Sequence, residues 1–94
     1  MFRELDPLLH SQLRLGVIAL LMSVDSAEFT YIKEKTNATA GNLSVQIDKL
    51  SEAGYISVEK SFKGKKPVTT CRITKNGVKA FEAYVDNLKD YIKI

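Results

Sequence analysis

The chain has 94 residues, 45% hydrophobic and 27% charged, a length and composition that suit one globular domain, 1–94, rather than a disordered or fibrous chain. No apolar run reaches the ~18 residues that a membrane span needs, and a lone cysteine, Cys71, with a lone histidine, His10, excludes an internal disulfide and ordinary zinc ligation. The net charge of +3 is unevenly spread: six basic residues and no acid fall between Lys60 and Lys75, while the other eight basic residues are outnumbered by eleven acids. A domain that is mildly acidic everywhere except one strongly basic segment points to a polyanionic partner at that segment.

In chain order, Arg3 is followed by Glu4 and Asp6, and no small-residue cleavage site follows the apolar patch Val17–Met22, so the start does not read as a signal peptide. A cytoplasmic setting is expected. Asp6-Pro7 has the form of an N-cap with proline at the first helical position, and predicts a helix or helical pair to about Ser23. Leu9, Leu13, Val17, Leu20, Leu21 and Val24 recur at helical spacing, with Leu15, Ile18 and Met22 on other faces. Apolar residues over most of the circumference predict cover on more than one side, partly from the core and partly from a second subunit.

Val24-Asp25-Ser26 reads as a turn, and a short helix is predicted over about 29–35 with Phe29 and Ile32 inward. Thr36-Asn37-Ala38 is the next turn, where asparagine tolerates a left-handed backbone. Thr39 then caps a third helix that runs to about Ala53, with Gly54 placed as a C′ glycine. Leu43, Ile47 and Leu50 form its inner stripe; Gly41, Asn42, Val45, Asp48 and Lys49 lie opposite, flanked by Ser44 and Gln46. Asn and Gln can read adenine in the major groove, a small apolar side chain can meet a thymine methyl, and Lys49 suits phosphate. An ordinary solvated helix face would look the same.

Two strands are predicted over about 55–62 and 68–73, from the alternation of Ile56, Val58 and Phe62 and the β-branched run at Val68-Thr69-Thr70 with Ile73. Lys63-Gly64-Lys65-Lys66-Pro67 is read as a hairpin loop. Strand-tip lysines also serve solubility or block edge pairing. That role accounts poorly for Lys60, Lys63, Lys65, Lys66, Arg72 and Lys75 together without an acid, whereas a duplex, with its dense line of phosphates, accounts for all of them. Thr74 caps a last helix over about 75–93, with Val78, Phe81, Tyr84, Val85, Leu88, Tyr91 and Ile92 on one stripe.

The order helix, helix, turn, helix, hairpin, helix describes a winged helix-turn-helix: an α+β, mainly α, domain with a two- to three-stranded antiparallel wing over about 55–73 and a long C-terminal dimerisation helix. DNA contact is assigned to Thr39, Gly41, Asn42, Ser44, Val45, Gln46 and Lys49 of the reading helix and to Lys60, Lys63, Lys65, Lys66 and Arg72 of the wing. A homodimer interface is assigned to Leu9, Leu13, Val17, Phe81, Tyr84, Val85, Leu88, Tyr91 and Ile92. His10 beside Ser11 suggests capping or packing, and Cys71 an inert, half-buried strand residue. No nucleophile–base pair or phosphate-binding glycine loop is present, so neither an enzyme nor a cofactor is expected. The alternative function is a winged helix that assembles with protein and binds no DNA.

The phrases Asp6-Pro7-Leu8-Leu9-His10-Ser11, Leu13-Arg14-Leu15, Gly41-Asn42-Leu43-Ser44, Lys49-Leu50-Ser51-Glu52-Ala53-Gly54-Tyr55-Ile56, Lys60-Ser61-Phe62 and Lys66-Pro67 resemble the compact winged-helix transcriptional regulators related to the MarR and ArsR groups. The resemblance implies a small prokaryotic dimeric regulator whose third helix reads the major groove and whose wing holds flanking DNA. The Cys or His clusters of the metal-sensing members are missing here, as are the extra helices of the longer drug-sensing members.

Overall fold

Asn37 is the one non-glycine residue with a left-handed backbone (φ 56°) among the described residues, and the chain turns there between two helices. The computed structural model describes residues 2–92. Its elements are α1 (Gln12–Met22), β1 (Ala27–Glu28), α2 (Phe29–Thr36), α3 (Ala40–Glu52), β2 (Ile56–Lys63), β3 (Lys66–Ile73) and α4 (Lys75–Ile92). The strands form one antiparallel sheet in the order β1-β3-β2. The fold is the mainly helical winged helix-turn-helix expected from the order of elements.

The helix ends follow local chemistry. Thr39 Oγ1 accepts the Asn42 N–H at 3.2 Å and so satisfies one of the unpaired donors at the start of α3. Gly54 follows α3 with φ 78°, a conformation that costs glycine little. At the start of α4 the Thr74 hydroxyl accepts the Gly77 N–H at 3.0 Å and donates to the Gly54 carbonyl at 2.6 Å.

Four expectations need correction. Asp6-Pro7 opens only a single turn, closed by His10 N–H to Asp6 O at 2.8 Å, and α1 begins at Gln12 after an extended Ser11. Asp6 does cap that turn: Oδ1 accepts the Leu8 N–H at 2.9 Å, while Oδ2 accepts the Tyr55 hydroxyl at 2.5 Å. That bond, more than burial, pushes the Tyr55 phenol up to about 12. Second, Ala27 and Glu28, for which no strand is predicted, pair with Cys71 and Thr70 as a third strand, and Glu28 is at the same time the N-cap of α2. Third, the hairpin turn is shorter than five residues: Lys63 pairs with Lys66, so Gly64 (φ 63°) and Lys65 alone make the turn. Pro67 therefore sits inside β3 opposite Phe62, beyond the reach of β1, where its missing N–H breaks no second ladder. Fourth, Phe62 is 72% exposed, because the ribbon continues past the end of the core. The expected last helical residue, Lys93, lies outside the described residues.

One apolar cluster holds these elements. Val17, Ile18 and Leu21 of α1 meet Ile32 of α2, the Leu43, Ile47 and Leu50 stripe of α3, and Ile56 and Cys71 of the sheet. Cys71 is fully buried rather than half-buried, and burial pushes its thiol up to about 11, which leaves it unreactive. Leu9 and Tyr84 close the cluster on the α4 side, where Tyr84 OH lies 3.1 Å from His10 Nδ1.

The N-terminal segment straps onto α4. Arg3 Nε lies 2.7 Å from Asp90 and an Arg3 Nη 3.0 Å from Asp86, the Tyr91 hydroxyl donates to Arg3 O at 2.9 Å, and Phe2 stacks on Tyr91 with ring centroids 4.8 Å apart. Hydrogen bonds from Arg3 lower the Asp90 carboxyl to about 2. These pairs are exposed, so they orient the strap more than they stabilise the fold.

The tightest seam lies where α4 leaves the sheet. A Cβ placed on Gly77 would stand 2.1 Å from the Tyr55 carbonyl oxygen, a backbone atom, and 2.8 Å from the Ile73 side chain. Gly77→Ala is expected to cost at least about 1–3 kcal/mol, the range for overpacking. Chemical denaturation of the variant checks this; an unchanged midpoint would show that α4 is seated otherwise.

Candidate nucleic-acid interface

The stripe Leu43, Ile47 and Leu50 is buried, so the opposite side of α3 faces solvent. Gly41, Asn42, Ser44, Val45 and Lys49 are exposed there, Val45 to 50%, and Thr39 is exposed at the cap. Asp48 is exposed one residue before Lys49, which leaves the N-terminal half of the helix free of acid. Gln46 differs from its neighbours. It is half-buried at the α1 side, where Arg14 donates to its Oε1, while its Nε2 donates to Asn42 Oδ1 at 3.0 Å. Arg14 is itself anchored, with Nε donating to the Leu8 carbonyl at 2.6 Å. The sequence reading assigns Arg14 no role; its signals are the family-like phrase Leu13-Arg14-Leu15 and a lone cation among the leucines of α1.

Lys60, Lys63, Lys65, Lys66 and Arg72 are all exposed. Opposed residues of a ladder share a face and successive residues alternate. The register therefore puts Lys60 and Phe62 on the face that carries Val58 and Cys71, and Lys63, Lys66 and Arg72 on the other. The ribbon is thus positive on both faces, an arrangement that can meet phosphates on either wall of a groove. One charge is partly spent: Lys63 Nζ lies 2.9 Å from Glu28 Oε2, and this pair ties the wing to β1. Glu28 is invisible as a partner in the sequence because nothing there marks β1 as a strand.

The residues assigned to a dimer interface separate into two groups. Leu9, Val17 and Tyr84 belong to the protomer's own core, with exposures of 0%, 0% and 5%, and have no surface left for a partner. Their helical spacing reported burial correctly but could not distinguish a core from an interface. Leu13 lines a cleft of about 710 Å³ between α1 and the α2–α3 turn, with Gly16, Leu20, Thr36 and Asn42. Val85, Tyr91 and Ile92 are exposed on α4, to 39%, 42% and 71%, and Phe81 and Leu88 are half-buried against the core.

Among known families, that of the winged helix DNA-binding domain matches residues 13–92. This chain belongs to that family. The winged-helix chain is 38% identical over 76 residues to an uncharacterised protein of Methanocaldococcus jannaschii, covering 81% of this chain and 83% of the relative. Its fold is similar to that of a transcriptional regulator homologue from Pyrococcus horikoshii, with a TM-score of 0.83 and 28% identity over 90% of this chain and 84% of the other. It is also similar in fold to a MarR variant from E. coli crystallised with operator DNA (TM-score 0.71, 16% identity, 88% of this chain), of which it spans 64%. The family is that of a winged helix DNA-binding domain, and the fold is one shared with solved transcriptional regulators.

The wing charges of this winged-helix domain are not equivalent. Removing one lysine–phosphate pair should lower the log–log salt slope of duplex binding by ~0.9. Lys65→Ala and Lys66→Ala are each expected to show that drop. Lys63→Ala should show clearly less, because Glu28 already holds its ammonium. Equal slopes for the three variants and the parent, from binding measured across a salt series, would remove the wing from the interface.

Proposed function

We propose that this chain is a homodimeric repressor that binds a palindromic operator in double-stranded DNA and occludes a promoter. The observation that carries the reading is the placement, within one winged-helix frame, of a polar helix face whose N-terminal half carries no acid and a ribbon positive on both faces. The α3 face from Thr39 to Lys49 would enter the major groove, and Lys60, Lys65, Lys66 and Arg72 would hold flanking phosphates. Phosphate contacts position a protein on DNA and base contacts specify the site, so the two elements divide the work. The P. horikoshii relative, described as a transcriptional regulator homologue, and the MarR variant's complex with operator DNA support the same reading.

A second copy would dock on α4. Val85, Tyr91 and Ile92 are apolar and exposed along an 18-residue helix, and Phe2 extends the patch, itself 65% exposed. Two-fold pairing of helix-turn-helix domains places the reading helices about 34 Å apart, one turn of DNA.

In vitro selection from random duplexes is expected to return a palindrome with half-sites about ten base pairs apart, centre to centre. Val85→Asp combined with Ile92→Asp should yield monomers by light scattering and select single half-sites. Selected sites without two-fold symmetry, or a double variant that stays dimeric, would contradict the proposed assembly.

A further inference from the structure

The half-buried position of Gln46 bears on which base α3 reads. We propose that Arg14 locks the side-chain amides of Gln46 and Asn42 with their N–H groups outward, so that this surface selects guanine over adenine. The proposal rests on the DNA-binding reading above and deepens it.

The argument starts from Arg14. A guanidinium has only donors and keeps its charge, so the group it meets on Gln46 must be the amide oxygen. The carbonyl of Leu8, 2.6 Å from Arg14 Nε, holds the guanidinium from its other side. With Oε1 committed to Arg14, the remaining polar atom of Gln46 is Nε2, which donates to Asn42 Oδ1 at 3.0 Å. The two residues lie one helical turn apart, and the polarity set by Arg14 therefore passes to Asn42. Among the described residues, Asn42 Nδ2 keeps both its hydrogens unpartnered and Gln46 Nε2 keeps one. Every uncommitted hydrogen of the pair is a donor.

Guanine shows two acceptors in the major groove, N7 and O6, whereas adenine shows the N7 acceptor beside the N6 donor. A freely turning asparagine pairs with adenine by accepting from N6 and donating to N7. Here Asn42 Oδ1 already accepts from Gln46, so adenine N6 would have to share that oxygen through its second lone pair, whereas the two acceptors of guanine meet only free amide hydrogens. The adenine preference expected from the residue types alone is thereby reversed.

The experiment uses the full chain and the site obtained by selection. The base pair read by Asn42 is the one whose preference disappears in Asn42→Ala. At that pair the parent protein should favour guanine over adenine by about tenfold, and 7-deazaguanine, which lacks the N7 acceptor, should lose the advantage. In Gln46→Glu the carboxylate can only accept. One oxygen still meets Arg14, the other must take the Asn42 N–H, and Asn42 turns its oxygen outward. The ratio should then invert in favour of bases that present an amino donor. Arg14→Met, which frees both amides, should bring guanine and adenine within about threefold of each other. In the free protein, NMR of the side-chain amides should show Gln46 and Asn42 both shifting in Arg14→Met.

Adenine favoured by the parent at that pair, a ratio unchanged in Gln46→Glu, or side-chain amides indifferent to Arg14→Met would each overturn the proposal while leaving DNA binding intact. Failure to retain any duplex at low ionic strength would instead remove the DNA-binding reading, and this inference with it.

Discussion

Everything at the proposed interface depends on how α3 is rotated about its own axis, and the packing of its inner stripe sets that rotation. Leu43, Ile47 and Leu50 are buried against the apolar cluster that α1 contributes to. Burying such side chains is worth roughly 1.5–3 kcal/mol each. A slip of one residue, about 100°, would put Asn42, Gln46 and Lys49 in their places, with two amides and an ammonium desolvated. No nearby rotation competes. The core thus determines which atoms of α3 face a duplex, and Arg14, reaching across from α1, refines that choice at the level of single amide groups.

The wing obeys a different constraint. It extends past the core, so its outer half is held by ladder hydrogen bonds, a glycine turn at Gly64 and the Lys63–Glu28 pair rather than by apolar packing. A ribbon so held can adjust to a backbone, which suits nonspecific phosphate contact, whereas the helix held by the core suits base reading. At the other end of the chain the strap from Phe2 to His10 joins α4 to the rest of the fold through Asp6–Tyr55 and His10–Tyr84, and through Leu8 it reaches Arg14. The surface available to a second copy and the surface available to DNA are therefore connected within one protomer.

Much of this is legible in the residues. Thr39, Asn37, Gly54 and Thr74 mark helix ends because their chemistry is local: a hydroxyl that accepts an N–H, or a backbone tolerant of positive φ. The stripe of α3 and the alternation of Ile56 with Val58 report burial because period and burial are coupled. Apart from the hairpin, where Lys63 pairs with Lys66 and leaves only Gly64 and Lys65 to turn, the misses are matters of tertiary geometry. β1 is two residues long, too short for any period to show, and without it Glu28 cannot be seen as the partner of Lys63. Asp6-Pro7 carries a helix-start signal and Asp6 caps a turn there, but the chain is extended again at Ser11 and the helix begins anew at Gln12. Leu9, Val17 and Tyr84 are apolar at helical spacing whether the cover is the same chain or another. Arg14 meets Gln46 across 32 positions, a distance over which sequence pattern carries no information.

The claim at the centre is that the wing and the N-terminal half of α3 touch one duplex at the same time. Backbone-amide NMR of the labelled protein, titrated with the selected duplex at low ionic strength, tests it directly. The account predicts that resonances from Thr39 to Lys49 and from Lys60 to Lys66 shift along one binding curve at a single stoichiometry, while those of the buried α1 residues Val17, Ile18 and Leu21 move little. Shifts confined to one of the two segments, or two segments that saturate separately, would contradict it.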